Sequence, residues 1–257
     1  DMTVAEDSRL DGIEVMHVDA NKVSNVLEVT GENITAEVDG MMFDLIPNAD
    51  FTGTTEVFVT VRDMEHSGDA ATTSFMLTVT AENDMPTVSV STDMVSINEG
   101  EVAALSATAS DVDDDELTFI WTGTGDIADA NTATTQVADL AVGSHAFTLT
   151  VSDGVASSQA TVTVMVNALP VAAVANSTVT VNAGTVVVLD ASNSTDADSE
   201  LTFSWAGAGT ISDANAAKTE VTGLSAGTHV FTVTITDGSA SSNATVTVNV
   251  NALPVAM

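Results

Sequence analysis

The run Asp111-Val112-Asp113-Asp114-Asp115-Glu116 sets five carboxylates into six consecutive residues. Hard oxygen donors gathered in one turn suit a calcium ion, which takes six to eight oxygens at roughly 2.3–2.6 Å. The plainer reading of such a run is a solvated acidic loop. A second copy of the loop is thinner and keeps Asp196 and Asp198 beside Thr195 and Ala197. Other chemistry is sparse. There is no cysteine, so neither disulfides nor thiolate metal sites are available. Ser, His and Asp all occur, but no Gly-x-Ser-x-Gly elbow frames a nucleophile, and the chain reads as non-enzymatic. His145 and His229 stand two residues before Phe147 and Phe231 and share their strand face, which makes them half-buried structural residues. His17 and His66 have no clustered partner. Trp121 and Trp205 invite a sugar-stacking reading, yet their register with Phe119 and Phe203 puts them in the core.

Charge narrows the partners. The 257 residues carry 37 acidic and four basic side chains, a formal net charge of −33. Such a chain repels a phosphate backbone, which excludes nucleic acid, and docking on an anionic lipid surface is disfavoured for the same reason. No apolar stretch reaches the length of a membrane-spanning helix, and residues 1–30 contain no signal-peptide pattern. The expectation is an extracellular or cell-surface piece of a longer protein, without membrane insertion. The acidic excess is uneven: eighteen acids face three bases in 1–85, twelve face none in 86–169, and seven face one in 170–257. Demand for counter-cations is therefore greatest early in the chain.

The elements that must position these residues are strands. Pro86, Pro170 and Pro254 are spaced by 84 residues, as are Trp121 and Trp205, and aligning 86–169 with 170–253 without a gap gives 44 identities. Within the repeat, alternation predicts strands at 95–97, 102–109, 117–122, 134–137, 144–152 and 160–166, with a Gly- and Asp-rich turn over 123–131. Asp153-Gly154 reads as a hairpin turn. Val, Thr and other β-formers dominate, and no helical period appears. The fold class is all-β: three tandem immunoglobulin-like or cadherin-like Greek-key β-sandwiches in a linear array. Their expected bounds are 1–85, 86–169 and 170–253, with 254–257 opening a further repeat. A proline at each junction and about four linker residues predict a semi-rigid rod.

Three motifs carry a family resemblance in 86–253. They are Glu-Leu-Thr-Phe-x-Trp (116–121, 200–205), Gly-x-His-x-Phe-Thr (143–148, 227–232) and Asp-Gly-x-Ala-Ser-Ser-x-Ala-Thr-Val-Thr-Val (153–164, 237–248). With the acidic loop before them, these segments resemble PKD domains, an immunoglobulin-like family of bacterial extracellular proteins. Residues 1–85 are similar to bacterial cadherin-like repeats through Val4-Ala5-Glu6-Asp7, Pro47-Asn48-Ala49-Asp50-Phe51-Thr52-Gly53 and the ending Val-Thr-Ala-Glu-Asn-Asp-Met-Pro (79–86). The cadherin resemblance implies calcium at module junctions, with Glu6, Asp63, Glu65, Asp84, Asp111 and Asp113 as the ligands at the first. Met85 departs from the pattern where a further Asn is expected. The second junction is the weaker candidate: it has lost the linker carboxylate, and only Asp196 and Asp198, with Asp153 of the preceding hairpin, remain to it.

The implied role is a non-catalytic stalk in a secreted adhesin or matrix protein, whose partner is an adhesion target or neighbouring copies of itself. The rival roles are accessory modules of a secreted polysaccharide- or protein-degrading enzyme, and the subunit of an extracellular filament or surface layer.

Overall fold

The computed structural model describes residues 1–16, 25–63 and 70–254. Strands are the regular elements among them, and no helix there is long and apolar enough to cross a membrane. The chain divides into two compact units. One holds residues 1–85 together with 111–115; the other holds 86–110 and 116–257.

The first unit contains β1 (Met2–Ala5), β2 (Leu10–Glu14), β3 (Asn25–Gly31), β4 (Ile34–Asp39), β5 (Met42–Pro47), β6 (Gly53–Asp63) and β7 (Ala70–Thr80). They form two sheets, ordered β1-β7-β6-β3 and β2-β5-β4. Alternation decides which side chains face inward. Val57, Val59 and Val61 of β6 and Leu77 and Val79 of β7 are buried against Phe43 and Leu45 of β5, while Phe58 and Met76 beside them face out. Arg9 ties the second sheet together through Asp11, Glu37 and Asp44. The Gly12 amide and then Arg9 hold the Asp44 carboxyl below the usual range.

The second unit opens with β8 (Thr87–Val90), β9 (Met94–Asn98), β10 (Ala103–Ser110), β11 (Thr118–Thr122), β12 (Asp126–Ile127), β13 (Thr134–Ala138), β14 (Gly143–Ser152) and β15 (Ser157–Asn167). Their sheets run β12-β13-β10-β8 and β11-β14-β15-β9. It continues with β16 (Thr178–Asn182), β17 (Val187–Asp190), β18 (Thr202–Ala206), β19 (Thr210–Ile211), β20 (Lys218–Thr222), β21 (Gly227–Thr236) and β22 (Ser241–Asn251), in sheets β16-β22-β21-β18 and β17-β20-β19. Each pair of sheets encloses its own apolar core. The chain is thus all-β, built of immunoglobulin-like sandwiches. In each core the first strand of one sheet runs parallel to the last: β9 to β15 and β16 to β22.

Both tryptophans are core residues, 2% and 3% exposed. Each donates its indole N–H to a carbonyl eleven residues on, Trp121 to Thr132 at 3.0 Å and Trp205 to Ala216 at 3.1 Å. His145 Nε2 donates to the Ala141 carbonyl (2.7 Å) and His229 Nε2 to that of Ser225 (2.8 Å), so both rings serve the scaffold. His17 and His66 lie outside the described residues. The short strands β8 and β12 are additions to the elements read from alternation.

Candidate metal centre

The acidic face of the first unit is assembled by three turns. After β1, the Glu6 amide donates to the Thr80 carbonyl (3.0 Å) and extends the parallel β1–β7 ladder by one step. The Glu6 side chain is buried, and its Oε1 accepts the Glu82 N–H at 2.7 Å, which fastens the segment following β7. Asp7 then turns away with φ 55°, and Asp50 does the same with φ 60° just before β6. Both occupy the left-handed region that Asp and Asn tolerate better than most side chains. The β6–β7 register pairs Gly53 with Val79, which brings the Asp50 turn beside residues 81–84. The third turn is the 111–115 segment. There Asp113 N–H donates to Asp111 Oδ1 (2.9 Å), and Asp113 Oδ2 accepts the Asp84 N–H (2.8 Å).

Two carboxylate groups result. Asp7, Asp50 and Asp84 each offer an oxygen within 4.8 Å of the others, and Asp111, Asp113 and Asp115 do likewise. Asp50, Asp113 and Asp115 line a cleft of about 560 Å³ together with Glu82, Asn83 and Asp114. Two oxygens, Asp84 Oδ2 and Asp111 Oδ2, are buried without a hydrogen-bond partner. Burial first, and then repulsion from Asp7, Asp113, Asp50 and Glu6, pushes the Asp84 carboxyl above its ordinary pKa. Like charges this close are unfavourable unless something positive lies between them.

Of the residues expected as ligands, Asp84, Asp111 and Asp113 come together. Glu6 adjoins them, but one of its oxygens is engaged by the Glu82 amide. Asp63 stands elsewhere. It ends β6 and pairs with Asn25, ten residues from Gly53 along an extended strand. At about 3.3 Å per residue that is roughly 33 Å from the Asp50 turn. Glu65 lies outside the described residues. Asp7, Asp50 and Asp115 belong to the groups and were absent from the expected set.

The second acidic loop repeats the scaffold with fewer charges. Asp198 N–H donates to Asp196 Oδ1 (3.0 Å), and Asp198 Oδ2 accepts the Ala168 N–H (3.1 Å). The Asp111/Asp113 geometry therefore recurs at a spacing of 85, one residue off the gapless repeat. Asp153 stands apart from this loop. It caps its own turn, with Oδ1 accepting the Val155 and Ala156 amides at 2.6 Å, at the start of β15 rather than at its Asn167 end. The nearby carboxylate is Asp237, whose Oδ2 accepts from Asn167 Nδ2 (2.9 Å). The Asp198 and Ser199 amides hold Asp196 below its ordinary range, and the Ala240 amide and Asn167 do the same for Asp237.

A family model described as K319L-like, PKD domain matches residues 91–166 and 174–250, the two cores of the second unit. The chain belongs to this PKD family. The repeat-equivalent indoles and the Asp-Gly turns are thus the framework of two PKD domains. Among curated proteins, none matches. Similar solved structures include a nucleoside hydrolase-related hypothetical protein from Saccharophagus degradans associated with carbohydrate metabolism. It is 26% identical over 33% of this chain and 26% of that one, with a TM-score of 0.31. The endo-fucoidan hydrolase MfFcnA4 from glycoside hydrolase family 107 is 19% identical over 89% of this chain and 39% of that one, at 0.28. Extracellular domains 3–5 of Drosophila OTK are 10% identical over 97% and 93%, at 0.45. The chain spans about a quarter of the length of the first of these and about two-fifths of the second.

Proposed function

We propose that the chain is a non-catalytic stalk or spacer in a secreted or surface-attached protein, and that calcium binds the acidic face of its first unit. The observation that carries the calcium reading is the pair of buried, unpartnered oxygens, Asp84 Oδ2 and Asp111 Oδ2, on hydrogen-bonded neighbouring segments. All six grouped ligands are carboxylates, with no histidine or sulfur, which fits a hard cation of high oxygen coordination. Asp7, Asp50 and Asp84 would hold one side of the ion environment and Asp111, Asp113 and Asp115 the other. The cation would supply charge neutralisation and cross-linking, not chemistry. Support for a non-catalytic role is that both described histidines are engaged by backbone carbonyls.

Titration calorimetry of chelator-stripped protein with calcium tests this. Binding is expected in the parent chain and is expected to be lost in Asp84→Asn with Asp111→Asn. Binding to the folded state alone raises stability by mass action, so EDTA is expected to lower the melting of the first unit. Intact binding in the double variant, or melting indifferent to EDTA, counts against the proposal.

A further inference from the structure

We propose that the joint between the two PKD domains is a lock fastened by the Asn167 side chain and needs no cation. It involves none of the carboxylates of the first unit and stands or falls separately from the calcium reading. The joint is short. Asn167 is the last residue of β15 and pairs with Asn98, and only Ala168 and Leu169 precede the buried Pro170. The following amides are taken up by the second PKD domain. Val171 and Thr195 exchange N–H···O bonds (2.8 and 3.1 Å), the Ala173 N–H reaches Ser194 Oγ (3.0 Å), and the Ala175 N–H reaches the Asp190 carbonyl (2.9 Å). A linker whose donors are spent this way has few ways to bend without leaving a polar group unpaired.

Asn167 closes the arrangement. Its Nδ2 lies 3.2 Å from Asn98 Oδ1 in its own domain, 2.9 Å from Asp237 Oδ2 in the next, and 2.6 Å from the Ala168 carbonyl. One amide group thus bridges acceptors on both domains and gives the Asp237 carboxylate a donor. Asp196 and Asp198 are likewise occupied by backbone N–H groups, leaving Asp196 Oδ2 as the single buried oxygen without a partner among the described residues of this joint. The comparison with the first unit is direct. Asn83 Nδ2 makes the same turn onto the Asp84 carbonyl (2.7 Å), but there a carboxylate stands where Ala168 carries a methyl. Without that charge each of the three acids at the joint, Asp196, Asp198 and Asp237, has a neutral N–H donor.

The absence of cysteine allows the test in the full chain. Nitroxides on Val155→Cys and Val230→Cys, both exposed and one in each PKD domain, report the inter-domain distance distribution by pulsed electron spin resonance. A single narrow peak is expected, identical in excess calcium and in excess EDTA. Asn167→Ala is expected to lose that peak in both conditions. Asn167→Asp, of the same size, is expected to do so in EDTA by setting a carboxylate against Asp237. Tryptophan emission confirms that each domain remains folded. The proposal is overturned if EDTA broadens the parent's distribution, or if both Asn167 variants keep its width.

Discussion

Each PKD domain closes over one indole whose N–H is satisfied inside the protein, so Trp121 and Trp205 combine a large apolar burial with a specific hydrogen bond. Trp121→Ala is expected to cost about 3–5 kcal/mol in denaturant unfolding, the usual range for emptying a large aromatic site. Asp190 offers a pH test. The Ser192 hydroxyl and amide, then Lys218, pull its carboxyl down to about 2 from 3.8. Because the folded value is depressed, the stabilisation is complete above the unfolded pKa and is lost as pH falls through about 2. Asp190→Ala is thus expected to lower the melting temperature at neutral pH, with the gap to the parent closing in strong acid. Asp84 carries the opposite sign, being raised by burial and by its acidic neighbours. Asp84→Asn is expected to raise the melting temperature in EDTA while weakening calcium binding, measured on the same sample. At this scale the sequence was readable where a residue's register mattered, as for the indoles. It was opaque where a turn mattered: Asp7 and Asp50 reach the site through left-handed backbone that no alternation pattern records.

Strands were the most legible elements because a period of two survives in Val57, Val59 and Val61 or Phe147, Leu149 and Val151 without help from the rest of the chain. The two-residue β12 left no such trace inside its Gly-rich turn. Asp63 was misplaced for an element-scale reason. The cadherin resemblance implied it at the site, but β6 is eleven residues long and carries it to the far end. The one-residue slip between the acidic loops has a similar origin. Leu117 and Leu201 anchor the strands at a spacing of 84, while the residues before them are free to shift within the loop. The strand ends also hold a close contact worth testing. A Cβ built on Gly123 falls 2.2 Å from Phe147 Cδ1, and one on Gly207 falls 2.2 Å from Phe231 Cδ1. Both rings are fully buried and have no room to retreat. Gly123→Ala or Gly207→Ala is expected to destabilise by about 1–3 kcal/mol through overpacking, read by thermal or denaturant melting.

For the whole molecule, the uneven charge and the separate cores imply separate responses. The grouped carboxylates lie in the first unit, and both tryptophans lie in the second. Chelation is therefore expected to shift a calorimetric transition while leaving the tryptophan-detected one in place. A common shift in both would show that the units unfold as one. The parallel pairing of β9 with β15 and of β16 with β22 has a mechanical meaning. In each PKD domain the chain enters toward one end of the paired ladder and leaves at the other, as Met94–Asn98 beside Thr163–Asn167 and Thr178–Asn182 beside Thr247–Asn251. Tension between the two ends pulls these strands past one another, so five residue pairs share the load and must yield together. Strands joined by a hairpin and pulled from adjacent ends would instead unzip bond by bond. Forced unfolding is governed by the unfolding rate rather than by equilibrium stability. A domain of modest stability in a test tube can thus hold fast under flow, provided the pull comes along the chain.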